Sequence, residues 1–168
     1  MTACTAVLAL SEDLKPQLLD MGICEVLLPL TDSPSIEVQG NSAAALGNLS
    51  SKADDYAPFN AVWDKPAGGI HGYLVRFLES DDTTFQHIAV WTLIQLLESG
   101  NAELEQHIRD SPHLLALVRQ LQNRGDADDE HDENDAGDSQ ADTTPEKEIA
   151  ALSRRTEEIL FESSRADS

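Results

Sequence analysis

An all-α solenoid of stacked helical repeats is the fold class this sequence predicts, on three observations. Apolar residues recur at three- and four-residue spacing in short blocks separated by turn signals, no run alternates with the period of a strand, and the chain matches itself when slid by 39 to 47 residues. At 168 residues and 18.3 kDa there is room for one domain or a short array, not for separate cofactor and substrate domains.

The self-match fixes the elements in order. A shift of 47 lays Ile36–Ser50 over Thr83–Leu97, so that Val38 meets Phe85, Gln39 meets Gln86, Leu46 meets Leu93 and Leu49 meets Leu96. A shift of 43 lays Leu74–Leu78 over Leu117–Leu121, and a shift of 39 lays Leu10-Ser11 over Leu49-Ser50. This period lies in the range of armadillo and HEAT helical repeats. A module of that length with three helices cannot bury its apolar faces alone, so neighbouring copies must stack into a right-handed solenoid with a continuous core. In the best-defined copy the first helix is expected over Asp13–Met21, ended by Gly22, whose freedom at positive φ suits a helix terminus. The second is expected over Ile23–Leu30 and the third over Ile36–Ser51, started by Ser33-Pro34-Ser35. Val38, Ala45, Leu46 and Leu49 then form a core stripe, repeated by Phe85, Thr92, Leu93 and Leu96. The resulting division is repeats over 1–123 (partial 1–11, full 12–51, full 52–99, partial 100–123), an acidic disordered linker over 124–144, and a segment 145–168.

Charge and aromatic content mark the last boundary. Eleven Lys and Arg against 31 Asp and Glu give a net charge of −20, half of it carried after residue 123. Seven of the eight aromatics lie between Tyr56 and Trp91. Residues 125–144 hold no large apolar side chain and nearly one acid in every two positions, a composition that cannot build a core. Beyond it, Thr144-Pro145-Glu146 is a helix start, and Ile149, Leu152, Ile159 and Leu160 make a short amphipathic face. That face covers the end of the last repeat, binds a partner, or leaves the segment unfolded.

The phrase Glu37-Val38-Gln39-Gly40-Asn41-Ser42-Ala43-Ala44-Ala45-Leu46-Gly47-Asn48-Leu49-Ser50 resembles the third-helix signature of armadillo repeats. With DMGICEVLLPLTDSPS, GYLVRFLESDD and FQHIAVWTLIQLLESG it resembles the C-terminal repeats of the fungal vacuolar armadillo scaffolds over most of residues 3–121. The resemblance implies a non-catalytic adaptor at the cytosolic face of the fungal vacuole membrane, acting in vacuole inheritance, vacuole fusion, nucleus-vacuole junctions and selective autophagy. The partners it implies are a myosin adaptor, a nuclear-envelope junction protein and an autophagy regulator, each bound as a segment along the solenoid. Third helices line the concave face in that family. The groove residues carried over are Glu37, Asn41, Ala44 and Asn48 on one helix and Thr84, Ile88, Trp91 and Gln95 on the next. Asn48 matches the armadillo asparagine whose amide offers a donor and an acceptor to the backbone of an extended peptide. Gln95 stands where the ladder of peptide-binding members has asparagine, and the first copy offers only Thr2, Thr5 and Ala9 there. The competing reading is that Asn48 caps backbone groups and Trp91 packs within the stack.

Other chemistries lack a starting point. The net charge repels a phosphate backbone, which excludes nucleic acid. Cys4 and Cys24 sit in apolar segments as small buried hydrophobes, and His71, His87, His107 and His113 have no metal-ligand spacing, so neither metal nor cofactor is expected. GxSxG, GxxxxGK[ST] and GxGxxG are absent and no acid–base pair can be nominated, so the chain reads as no enzyme. No stretch is long enough to span a bilayer, and this chain by itself is expected to be soluble and cytoplasmic. Family members are anchored by N-terminal lipidation, which needs Gly after Met1 where this chain has Thr2. Thr2–Ser11 reads as a third helix without its own first and second helices, so further sequence upstream is expected. The alternative function is a structural fragment that self-associates through that open N-terminal face.

Overall fold

In the computed structural model, residues 14–129 and 144–166 are described, and all regular structure among them is helical. The helices are α1 (Lys15–Asp20), α2 (Ile23–Leu27, continued by a 3-10 turn, Leu28–Asp32), α3 (Ile36–Ser50), α4 (Ala57–Ala61), α5 (Gly69–Glu79), α6 (Thr83–Glu98), α7 (Ala102–Arg109), α8 (Pro112–Asp129) and α9 (Pro145–Ala166). They group in threes, and the packing is that of a solenoid. The third helices α3, α6 and α9 lie side by side, the second helices of successive groups touch, and α4 touches α7.

Local chemistry sets the boundaries. Gly22 sits at φ 73 between α1 and α2, a conformation that any side chain would strain. The Ser35 hydroxyl caps α3 by accepting from Val38 N, and the Asp82 carboxylate caps α6 by accepting from Thr84 N and Phe85 N. Asn101 does the same for α7 through Leu104 N. The Gln39–Gln86 match also acquires a reason. Each amide reaches back six residues to the carbonyl before its own helix, Gln39 to Ser33 O at 2.6 Å and Gln86 to Ser80 O at 2.5 Å, tying second and third helices together twice in the same way.

One core runs through all three groups. Ala45, Leu46, Leu49, Leu93 and Leu96 are essentially inaccessible and Thr92 is buried, while Val38 and Phe85 are half-buried and Phe85 stacks on Phe77 at 4.4 Å. Fully burying each Leu contributes about 1.5–3 kcal/mol.

Several sequence expectations need correction. The second helix of the first group ends as α-helix at Leu27 and tightens into the 3-10 turn, with Pro29 inside it. Burial pairs Ile70, Leu74 and Phe77 with Leu114, Val118 and Leu121, one residue away from the shift of 43, because the inward face of α8 and not its residue identities sets the register. The linker expected over 124–144 begins too early. Helix α8 continues through Asp129, past Gly125, whose cost of about 1 kcal/mol in a helix is offset by packing along α9. Residues 130–143, like the expected partial helix Thr2–Ser11, lie outside the described residues.

Segment 145–168 resolves in favour of docking. Helix α9 buries Ile149, Ala150, Ser153, Thr156, Ile159 and Leu160 against α6 and α8. It therefore stands as the third helix of the third group, with the acidic stretch occupying the connection that Ser33–Ser35 and Ser80–Asp82 make in the other two.

Candidate partner-binding groove

Stacked third helices bury three sides each and leave one strip to solvent. On α3 beyond its first turn, the residues not buried are Gly40, Asn41, Ala44 and Asn48; Glu37, in the first turn, is exposed. On α6, Thr84 is exposed and Ile88, Trp91 and Gln95 are half-buried along the same strip. All eight sequence-nominated residues thus lie on the accessible faces of two adjacent helices.

Gly47 is what brings the strips together. A Cβ there would come within 2.6 Å of the Trp91 ring and 2.7 Å of Thr92 Oγ1, so only glycine lets α6 close on α3 with the indole laid against its backbone. Trp91 is in this way both a packing residue and part of the accessible surface. Asn48 is half-buried and already has a partner within the fold. Amide, small apolar and aromatic groups in this arrangement can hydrogen-bond a peptide backbone and receive an apolar side chain.

Sequence reasoning missed the third strip. Matching buried Gln86, Val90, Leu93, Leu96 and Leu97 of α6 with Ile149, Ser153, Thr156, Ile159 and Leu160 of α9 places Lys147, Ala151, Arg154 and Glu158 opposite Thr84, Ile88, Trp91 and Gln95. Lys147 is half-buried and the other three are exposed. The available signal was the amphipathic period of α9, hidden by the acidic stretch before it. The histidines were also under-read. His87 faces Glu148 at 3.6 Å and His113 faces Glu79 at 2.9 Å, each linking successive groups, while His107 stacks on buried Trp63 at 5.2 Å. Burial pushes the Cys24 thiol up to about 12, which leaves it protonated and a poor nucleophile, and burial likewise raises the Tyr73 phenol. No group of three or more His, Cys, Asp or Glu placed for a metal occurs among the described residues, and no helix among them is long and apolar enough to cross a membrane.

With three-helix groups, shared core and accessible strip established, comparison with known proteins adds the family. The model of the armadillo/beta-catenin-like repeat matches residues 11–51, which hold α1, α2 and α3. The chain is an armadillo-repeat protein. It is 60% identical over 138 residues to vacuolar protein 8 of Schizosaccharomyces pombe, which covers 82% of this chain and 25% of that relative. It is 54% identical over 160 residues to vacuolar protein 8 of Aspergillus oryzae, covering 95% of this chain and 26% of the relative. Against vacuolar protein 8 of Saccharomyces cerevisiae the identity is 45% over 120 residues, 71% of this chain and 21% of the relative. The armadillo chain therefore spans about a quarter of the length of the relatives it matches. A match over 95% of it takes in most of α9, so the similarity reaches well beyond residue 121, the end of the stretch over which the sequence resemblance runs.

Proposed function

We propose that this chain is a non-catalytic, partner-binding portion of a fungal vacuolar scaffold, and that it holds extended segments of other proteins along the strip formed by Glu37, Asn41, Ala44 and Asn48 on α3 and Thr84, Ile88, Trp91 and Gln95 on α6. The observation that carries this reading is that packing of their core-facing sides leaves this strip accessible across two helices that Gly47 holds in contact. Amides along it satisfy a peptide backbone without regard to sequence, and Trp91 supplies the apolar anchor of the kind that dominates binding energy at interfaces. Similarity to vacuolar protein 8 supports the cytosolic face of the vacuole membrane as the place of action. It likewise supports the vacuolar myosin adaptor, the nuclear-envelope junction protein and the autophagy regulator as the classes of partner, with roles in vacuole inheritance, vacuole fusion, nucleus-vacuole junctions and selective autophagy. That similarity favours an adaptor over a fragment that only self-associates.

Titration of the whole chain with an extended segment of the myosin adaptor tests the proposal. Asn48→Ala and Trp91→Ala are each expected to weaken binding, Trp91→Ala by about tenfold or more at the roughly 1–2 kcal/mol typical of an aromatic anchor, with helical circular dichroism unchanged. Equal affinity of both variants and the parent chain removes the groove.

A further inference from the structure

Three of the chain's seven prolines follow a hydroxyl residue, in Ser33-Pro34, Ser111-Pro112 and Thr144-Pro145, each in a connection that leads into a helix. The fold treats the three hydroxyls differently. Ser111 is buried, donates to His107 O at 2.8 Å and accepts Leu115 N on its carbonyl at 3.2 Å, so the pair is built into the turn between α7 and α8. Ser33 is half-buried, and its carbonyl holds the Gln39 amide at 2.6 Å in the short turn before α3. Thr144 is exposed, and its hydroxyl accepts a long hydrogen bond from Lys147 N at 3.4 Å. Pro145, Glu146 and Glu148 beyond it are exposed, Lys147 is half-buried, and burial of α9 starts at Ile149. Opening the first turn gives up the contacts of Lys147 and the N–H bonds to Thr144, while the apolar face from Ile149 to Leu160 stays in place.

The flanking residues separate the three pairs again. Thr144-Pro145-Glu146-Lys147 sets a base three positions after the hydroxyl, where the other two pairs have Ile36 and Leu114. A proline beside the acceptor has no N–H to satisfy and enters an apolar pocket, and a base three positions on meets an anionic group. Those two features are the ones by which proline-directed kinases of the cyclin-dependent class select a hydroxyl.

We propose that Thr144 is a phosphorylation site, taking a phosphoryl group from ATP through a proline-directed kinase that reads Pro145 and Lys147. The bond from Oγ1 to the γ-phosphorus forms as the bond from that phosphorus to ADP breaks, and the hydroxyl proton passes to the kinase's base. The added charge of about −1.5 to −2 lands at the N-terminus of α9, beside N–H groups that a first helical turn leaves unpaired and next to Lys147 at the head of the α9 strip. The site stands whether or not the groove holds a partner.

Incubation of the whole chain with ATP and a cyclin-dependent kinase, followed by intact mass and fragment mapping, tests this, with a synthetic peptide of residues 138–150 alongside. One phosphate is expected, at Thr144 of the folded chain. With helical circular dichroism unchanged, Thr144→Ala is expected to abolish incorporation, Thr144→Ser to keep it, and Pro145→Ala and Lys147→Ala each to slow it about tenfold or more. Phosphate found at Ser33, Ser111 or Thr143 in place of Thr144 overturns the site. So does a folded chain that takes up none, whether or not the peptide is modified, and so does equal incorporation into the Pro145→Ala and Lys147→Ala variants and the parent chain.

Discussion

The seam between α3 and α6 and the seam between α6 and α9 join equivalent helices by different means. At the first, Gly47 removes a side chain so that Trp91 and Thr92 close against the backbone of α3. At the second, buried Ser153 and Thr156 replace the apolar residues of the earlier repeats, and two half-exposed polar contacts, His87 with Glu148 and Arg155 with Glu98, bridge the edges. Such pairs contribute about 0–1 kcal/mol each, so burial of Ile149, Ile159 and Leu160 must hold the second seam. One architecture is thus built once from shape and once from apolar burial with polar edges.

The largest expected effect comes from truncating equivalent core positions on the two sides of that comparison. Leu96→Ala on α6 is expected to cost about 2–5 kcal/mol and Ile159→Ala on α9 about 2 kcal/mol, the latter less because Ile159 lies nearer the open end. Urea unfolding of the two variants checks this, and a cost below about 0.5 kcal/mol at Ile159 would separate α9 from the cooperative unit. Gly47→Val comes next. Two methyl groups forced towards the indole should cost about 1–3 kcal/mol by overpacking and open the first seam, seen as a lower urea midpoint and a red-shifted Trp emission. A variant as stable as the parent chain would show that the seam has slack. The smallest effect has the opposite sign. Ser153 is inaccessible and its hydroxyl has no hydrogen-bond partner among the described residues, where Ala43 and Val90 hold the matching positions. Ser153→Ala is therefore expected to raise stability by up to about 1 kcal/mol, whereas a loss of that size would reveal a partner for the hydroxyl in solution.

This contrast also explains how far the sequence could be read. The first two repeats were legible because their core positions share residue types, with Leu46 and Leu49 recurring as Leu93 and Leu96, and because the hydrogen bonds from Gln39 to Ser33 O and from Gln86 to Ser80 O demand the same side chain twice. The third was not, since Ile149 stands where the glutamines do and Thr156 where Leu93 does, while residues 130–143 separate α9 from its own repeat with six acids and no Lys or Arg. Self-comparison detects shared residues; packing requires only a shared apolar face. The eight nominated groove residues could be placed because helical phase alone puts them opposite the core. Their continuation through Lys147, Ala151, Arg154 and Glu158 needed α9 to be recognised as a third helix first. The contacts of His87 and His113 with Glu148 and Glu79 depend on partners 61 and 34 residues away and had no local signal.

Amide hydrogen exchange across α9 tests most directly the claim that this helix completes the last repeat. Amides between Ile149 and Leu160 are expected to exchange as slowly as those of α6 to within about tenfold, through a shared opening of the solenoid. Exchange of that segment at the rate of an unstructured peptide, with α6 still protected, would contradict a third helix there and end the groove at Gln95.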